Sequence, residues 1–177
     1  IRCRQILSCP EVLGLKVAEI SKDWWLFENI LGGQFERVVI FSAVVGEQLR
    51  LLEKVAAAGF SVELINGTVS GEKRVKIDEA FRRGDLQVII ASPATAGVGW
   101  NWQIMEACVF MSTDYTDDGF TQAVARGVRG VRETALPIFI PQYQRTIEQK
   151  VLGIIQKKSI LAHAVDARKE ILEGLIC

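Results

Sequence analysis

The sequence predicts an α/β domain in which a mainly parallel sheet carries helices on both faces. Short β-branched and aromatic runs recur along the chain, each the length of a buried strand. Amphipathic stretches long enough to be helical crossovers separate them, and parallel neighbours need such crossovers. With 177 residues, 49% of them hydrophobic, the chain can bury one well-packed core but not two large ones.

Residues 1–35 read as a helical lead-in whose Trp24, Trp25 and Phe27 pack on that core. Val38-Val39-Ile40-Phe41 is the first strand. A helix follows over 46–58, with Leu49, Leu52, Val55 and Ala56 on one face and Gly59 at its end. Residues 61–65 form the second strand. Ser70 caps a helix reaching Phe81, with Glu72 in its first turn and Gly84 beyond its end. The third and fourth strands are 86–91 and 107–111. Thr116, Asp117 and Asp118 start a helix running to about Arg129, and Ile138-Phe139-Ile140 is the fifth strand. Thr146 to Gln149 has capping-box spacing and opens a helix with Val151, Ile154 and Ile155 on its apolar face. The main domain is expected over 36–158, with a C-terminal helix over 159–177.

Composition excludes several classes. Lys plus Arg and Asp plus Glu are 21 each, so any phosphate-binding surface must be local. Cys3, Cys9, Cys108 and Cys177 form no CxxC pair, which argues for reduced thiols rather than zinc or a disulfide scaffold. No apolar run approaches the ~20 residues that cross a bilayer, so no membrane partner is expected. The opening Ile1-Arg2-Cys3-Arg4 has neither Met nor a leader's pattern, so a piece of a longer cytoplasmic (or, in a eukaryote, nuclear) protein is expected.

Ligands of open α/β sheets gather at the carboxyl ends of the strands. Those ends carry Phe41-Ser42-Ala43, then Asn66-Gly67-Thr68, then 92–101, and then Asp114-Tyr115-Thr116. In the third loop, Gly97 and Gly99 let backbone N–H groups approach a phosphate, and Ser92 and Thr95 add hydroxyls. Taken alone it is also a plain tight turn, and Trp102 at the third glycine position rules out a dinucleotide fingerprint. On the following helix, Gln122, Arg126 and Arg129 lie at i, i+4 and i+7, so one face presents two guanidinium forks and an amide. That stripe is a natural anion clamp, a solvated charged face being the plainer alternative.

Other features read as structural. Gly67 to Lys73 lacks P-loop spacing, and Asp78-Glu79 falls mid-helix, so both read as solvated helix surface. Trp100 and Trp102 are expected in the core and His163 at the surface. No complete nucleoside-triphosphate site is expected within the chain.

In order, these loops resemble the second (C-terminal) motor lobe of superfamily 2 helicases, nearest the Swi/Snf-type branch. Arg37 to Ala43 is similar to motif IV, and Ile65-Asn66-Gly67 with Ala80-Phe81-Arg82-Arg83-Gly84 to the next segment. Ser92 to Asn101 resembles motif V, with Trp100 where an aliphatic residue is usual. Gln122 to Arg129 matches the Q-x-x-x-R-x-x-R of motif VI, although Arg132 follows where a glycine-glutamine ending is common. Thr146-Ile147-Glu148-Gln149-Lys150 resembles a Swi/Snf-branch segment, and Arg4 to Pro10 the helix upstream.

The resemblance implies a RecA-like three-layer α/β/α lobe of an ATP-dependent DNA helicase or translocase. ATP and Mg²⁺ would be held mainly by a first, N-terminal RecA-like lobe bearing the P-loop and acidic box, and none by this chain alone. Arg129 would be the arginine finger and Arg126 its γ-phosphate partner, with Gln122, Gly97 and Gly99 also at the nucleotide. Ser42, Asn66, Gly67, Ser92 and Thr95 would meet the phosphate backbone, which positions without reading sequence. The alternatives are a non-enzymatic nucleic-acid or protein-binding scaffold and a self-contained phosphate-ligand domain.

Overall fold

The computed structural model describes residues 2–17, 19–97, 100, 102–113, 122, 135–154 and 156–157. Helices α1 (Arg2–Ser8) and α2 (Ser21–Leu26) lead in, α2 continuing through a wider turn at Phe27–Leu31. Then come β1 (Val38–Phe41), α3 (Val45–Ala57), β2 (Val62–Ile65), α4 (Gly71–Arg83), β3 (Val88–Ala91), a 3₁₀ turn at Pro93–Gly97, β4 (Ala107–Phe110) and β5 (Ile138–Phe139). Helix α5 spans 147–154, and the helices expected over 116–129 (save Gln122) and 159–177 lie outside the described residues.

All five strands are parallel, in the order β2-β3-β1-β4-β5. The strand alternation sorts the core into two layers. Val39, Phe41, Ile89, Cys108 and Phe110 face α4 and its Ile77 and Phe81. Val38, Ile40, Val88, Ile90, Ala107 and Val109 face α3 and the lead-in through Leu51, Val55, Leu26 and Ile30. A right-handed crossover leaving β1 in one direction and returning from β2 in the other puts α3 and α4 on opposite faces.

Helix α4 follows its sequence closely. Ser70 accepts a hydrogen bond from the Lys73 N–H, and Gly84 takes the left-handed conformation (φ 85°) that ends the helix. Helix α3 departs from expectation. Leu51 and Val55 are buried beside Glu47 and Gln48, while Leu49 is exposed. The inward face carries two polar residues at its sheet-edge end, so apolar periodicity alone rotates the helix wrongly. The lead-in also differs: Trp25 and Phe27 pack against the core, but Trp24 is 55% exposed. Lys22, Asp23, Leu26 and Ile30 turn inward, which places Trp24 on the other side of the helix. On α5, Val151 is buried whereas Ile154 is 41% exposed, and Ile155 lies outside the described residues. Thr146 Oγ1 accepts from the Glu148 N–H, while Gln149 reaches back to the Arg145 N–H rather than to that of Thr146.

Trp100 and Trp102 are core residues, stacked on one another at 6.3 Å, with Trp102 also meeting Phe41 and Phe81. The Trp102 Nε1–H donates to Asp78 Oδ1 at 3.0 Å. Asp78 is therefore buried, not solvated, although Glu79 beside it is exposed. Burial pushes the Asp78 carboxyl up, against the lowering pull of Arg82 at 2.8 Å. Trp102→Phe removes the donor and leaves a void beside the carboxylate, and it is expected to cost about 2–4 kcal/mol. Denaturant unfolding checks this, and the Asp78→Asn/Trp102→Phe pair should cost less than the sum of its single changes.

Candidate functional site at the carboxyl edge of the sheet

The chain leaves β1 toward β2 and leaves β4 toward β5, so connections diverge between β1 and β4. Such a divergence opens the crevice in which open α/β sheets bind ligands. The residues at its mouth are Ser42, after β1, and Ser112, after β4. Backbone bonds fix both ends: Ser42 N–H donates to Ala91 O at 3.0 Å and Met111 N–H to Phe41 O at 2.9 Å.

Ser42 is fully buried, and its hydroxyl donates to Glu47 Oε2 at 2.7 Å. Ser112 Oγ donates to the same carboxylate oxygen and accepts from the Ala43 N–H at 3.0 Å. The Gln48 side chain donates to Ser42 O at 2.7 Å and accepts from Asn66 Nδ2 at 2.9 Å. Asn66 Oδ1 accepts from both the N–H and the hydroxyl of Thr68, and Arg74 Nη2 donates to Asn66 O at 2.7 Å. Thr95 Oγ1 lies 3.1 Å from Ile65 O and 2.8 Å from Ser92 O. One polar web thus joins the ends of β1, β2, β3 and β4.

Each nominated residue has a definite place. The side chains of Ser42, Asn66 and Thr95 turn into this web and shape the edge from within. Gly67 is exposed, Ser92 is half-buried, and Gly97 closes the 3₁₀ turn after β3. Gln122 is exposed. Gly99, Arg126 and Arg129, with Asn101, Arg132 and His163, lie outside the described residues. Among the described residues, no three histidines, cysteines or carboxylates converge as a metal site. Sequence reasoning missed Glu47, Gln48 and Ser112. The available signal was Glu47 and Gln48 at helical spacing from Leu51 and Val55.

Behind the web stands a charge cluster. Arg50 takes Asp23 with two nitrogens, at 2.9 and 3.2 Å, and lies 3.9 Å from Glu47 and 3.6 Å from Glu11. Lys54 adds a 2.8 Å bond to Asp23. Lys22 points the other way, donating to Met111 O at 2.9 Å and pairing with Glu148 across a nearly dry contact. The Tyr143 N–H donates to the same Glu148 carboxylate at 3.0 Å. The conspicuous acid of the Thr146-Ile147-Glu148 segment therefore braces α5 against α2.

Burial pushes the Glu47 carboxyl up, opposed by the hydroxyls of Ser112 and Ser42 and by the charges of Lys22 and Arg50. The folded state then holds this proton more tightly than the unfolded chain does. Below the ordinary carboxylate value both states are protonated and stability is intact. As pH rises through the raised folded value, the unfolded chain has already released its proton and stability falls. Glu47→Gln, which cannot ionise, is expected to gain in melting temperature relative to the unsubstituted chain as pH rises above the ordinary carboxylate range. A gap that stays flat as pH rises above that range contradicts the shift.

The model of the family described as "Helicase conserved C-terminal domain" matches residues 21–131, well over half of the chain. The chain belongs to that family. Its match to mouse "Chromodomain-helicase-DNA-binding protein 1-like" is 27% identical over 159 residues, covering 88% of this chain and 18% of the relative. Among solved structures, the C-terminal part of the Fun30 ATPase domain superposes with a TM-score of 0.66 at 19% identity, over 87% of this chain and 53% of that one. The C-terminal domain of the DEAD-box protein Dbp5 gives 0.64 at 19% identity, over 79% of each chain. This helicase lobe is RecA-like, related to the Swi/Snf-type branch of superfamily 2, and spans less than a fifth of that mouse relative.

Proposed function

We propose that this helicase lobe is the second half of an ATP-driven DNA translocase. It supplies Arg126, Arg129 and Gln122, with the Gly97 and Gly99 backbone, to ATP bound mainly by a first lobe that also carries Mg²⁺. The carboxyl edge tracks a phosphate backbone through Gly67, Ser92 and neighbouring amides, while Ser42, Asn66 and Thr95 hold those loops in place. The observation that carries this is the single web joining four strand ends beside the β1–β4 divergence. Loops held rigidly to one another can move as a body when two lobes close on a nucleotide. Backbone contacts of this kind position without selecting sequence. DNA is favoured because the mouse relative is named for helicase and DNA-binding character. In a eukaryote the place of action would be the nucleus.

The test is ATP turnover by the complete protein with no nucleic acid, duplex DNA, single-stranded DNA and RNA, beside the 177-residue chain. DNA-stimulated turnover in the complete protein and none from the chain is expected. Turnover by the chain alone, or no response to any nucleic acid, overturns the motor reading. A response to RNA only overturns the choice of DNA.

A further inference from the structure

We propose, on the motor reading above, that Glu47 is a positioning residue whose buried carboxylate locks the β1 and β4 edge loops together and ties them, through Arg50 and Asp23, to the lead-in helix α2. Three observations carry it. First, Glu47 is 1% exposed yet lies at the β1–β4 divergence, where the family resemblance assigns it no duty. Second, one of its oxygens accepts from both Ser42 and Ser112, residues 70 positions apart whose hydroxyls also approach each other at 3.2 Å, with Ser112 Oγ accepting from the Ala43 N–H across the same crevice. Third, its other oxygen faces Arg50 at 3.9 Å, and Arg50 grips Asp23 of α2 with two bonds.

A buried carboxylate is costly to hold unless its hydrogen bonds are made, so its partners are held as firmly as it is. With both hydroxyl protons directed at Glu47, the Ser112 oxygen is free to accept from the Ala43 N–H and the Ser42 oxygen from the Val44 N–H at 3.2 Å. The backbone of the loop after β1 is thereby set from below, by a residue on the next helix. Ser42 and Ser112 from the strand ends and Arg50 from α3 face the carboxylate, and the charge of Lys22 on α2, which points toward Glu148, acts on it through space. The path from α2 to the strand edge runs through the Asp23–Arg50 hydrogen bonds, the 3.9 Å approach of Arg50 to Glu47, and the bonds of Glu47 to the two hydroxyls.

A positioning residue should govern how well the edge engages nucleic acid more than how fast bound ATP is cleaved. In the complete protein, Glu47→Ala is expected to raise the duplex-DNA concentration for half-maximal ATPase stimulation about tenfold, with the maximal rate falling less than threefold. Glu47→Gln retains an acceptor for both hydroxyls and should recover most of that loss. Amide exchange at 42–44 and 112–113 should accelerate in Glu47→Ala but not at 62–65 in β2. Should Glu47→Ala not fold, Ser112→Ala reads the same link and is expected to raise half-saturation severalfold. An unchanged half-saturation in a folded Glu47→Ala or Ser112→Ala protein, or equal loss in Glu47→Gln, overturns the proposal while the motor reading stands. Absence of DNA stimulation in the unsubstituted protein overturns the motor reading itself.

Discussion

Replacing Arg129 with alanine in the complete protein is expected to lower the ATP turnover number about 10³-fold or more, the scale set by removing an arginine finger. On the proposed function the guanidinium would act on charge that develops as the γ-phosphoryl group transfers, so its loss should fall on the rate rather than on nucleotide affinity. Half-saturating ATP should move less than about fivefold, since on the proposed function the P-loop of a first lobe would hold the ground-state nucleotide. Arg129→Lys should recover little, because an ammonium lacks the planar fork that meets two phosphate oxygens. Single-turnover hydrolysis in saturating DNA separates this from a binding defect. Arg126→Ala serves as the companion, expected to lose both rate and affinity if it rests on the γ-phosphate in the ground state. A variant at Arg129 that turns over ATP within tenfold of the unsubstituted protein removes this residue from the finger role.

The strands and α4 were legible because their signals are local. Val38 to Phe41 and Val88 to Ala91 are continuous apolar runs, and both are buried along their whole length. Ser70 and Gly84 mark the ends of α4 by chemistry that needs no tertiary partner. The family was legible for a related reason, since its motifs sit at strand ends in a fixed order and the match to residues 21–131 agrees.

Residues whose burial depends on a distant partner were not legible. Asp78 looks like helix surface until Trp102, 24 positions on, brings the indole N–H that satisfies it. Glu47 and Gln48 look like the solvent side of α3, and Leu49 like its core side. The order reverses because Ser112 and Asn66 supply partners inside the fold. Lys22 and Asp23 are charged residues on a lead-in that sequence reads as accessory, yet both are nearly dry. In each case a polar side chain is buried because its hydrogen bonds are made, which no pattern of apolar spacing encodes.

That point gives the largest stability effect expected for this lobe. Asp23→Ala leaves Arg50, only 12% exposed at its side chain, without the carboxylate that takes two of its nitrogens. Glu47 at 3.9 Å and Glu11 at 3.6 Å are too far to replace those bonds. Stranding one partner of a buried pair costs about 3–5 kcal/mol, whereas removing both partners costs far less. In a domain of this size the loss corresponds to roughly 10 °C in melting temperature. Asp23→Ala/Arg50→Met should recover much of it, because the methionine carries no stranded charge and fills similar space. Asp23→Asn should lie between, keeping two polar atoms but no charge. Thermal unfolding of the four proteins at one pH and salt decides the matter. If the double substitution is no more stable than Asp23→Ala, then Asp23 stabilises the lobe chiefly by packing α2 on the sheet, and the charge on Arg50 is already met by water.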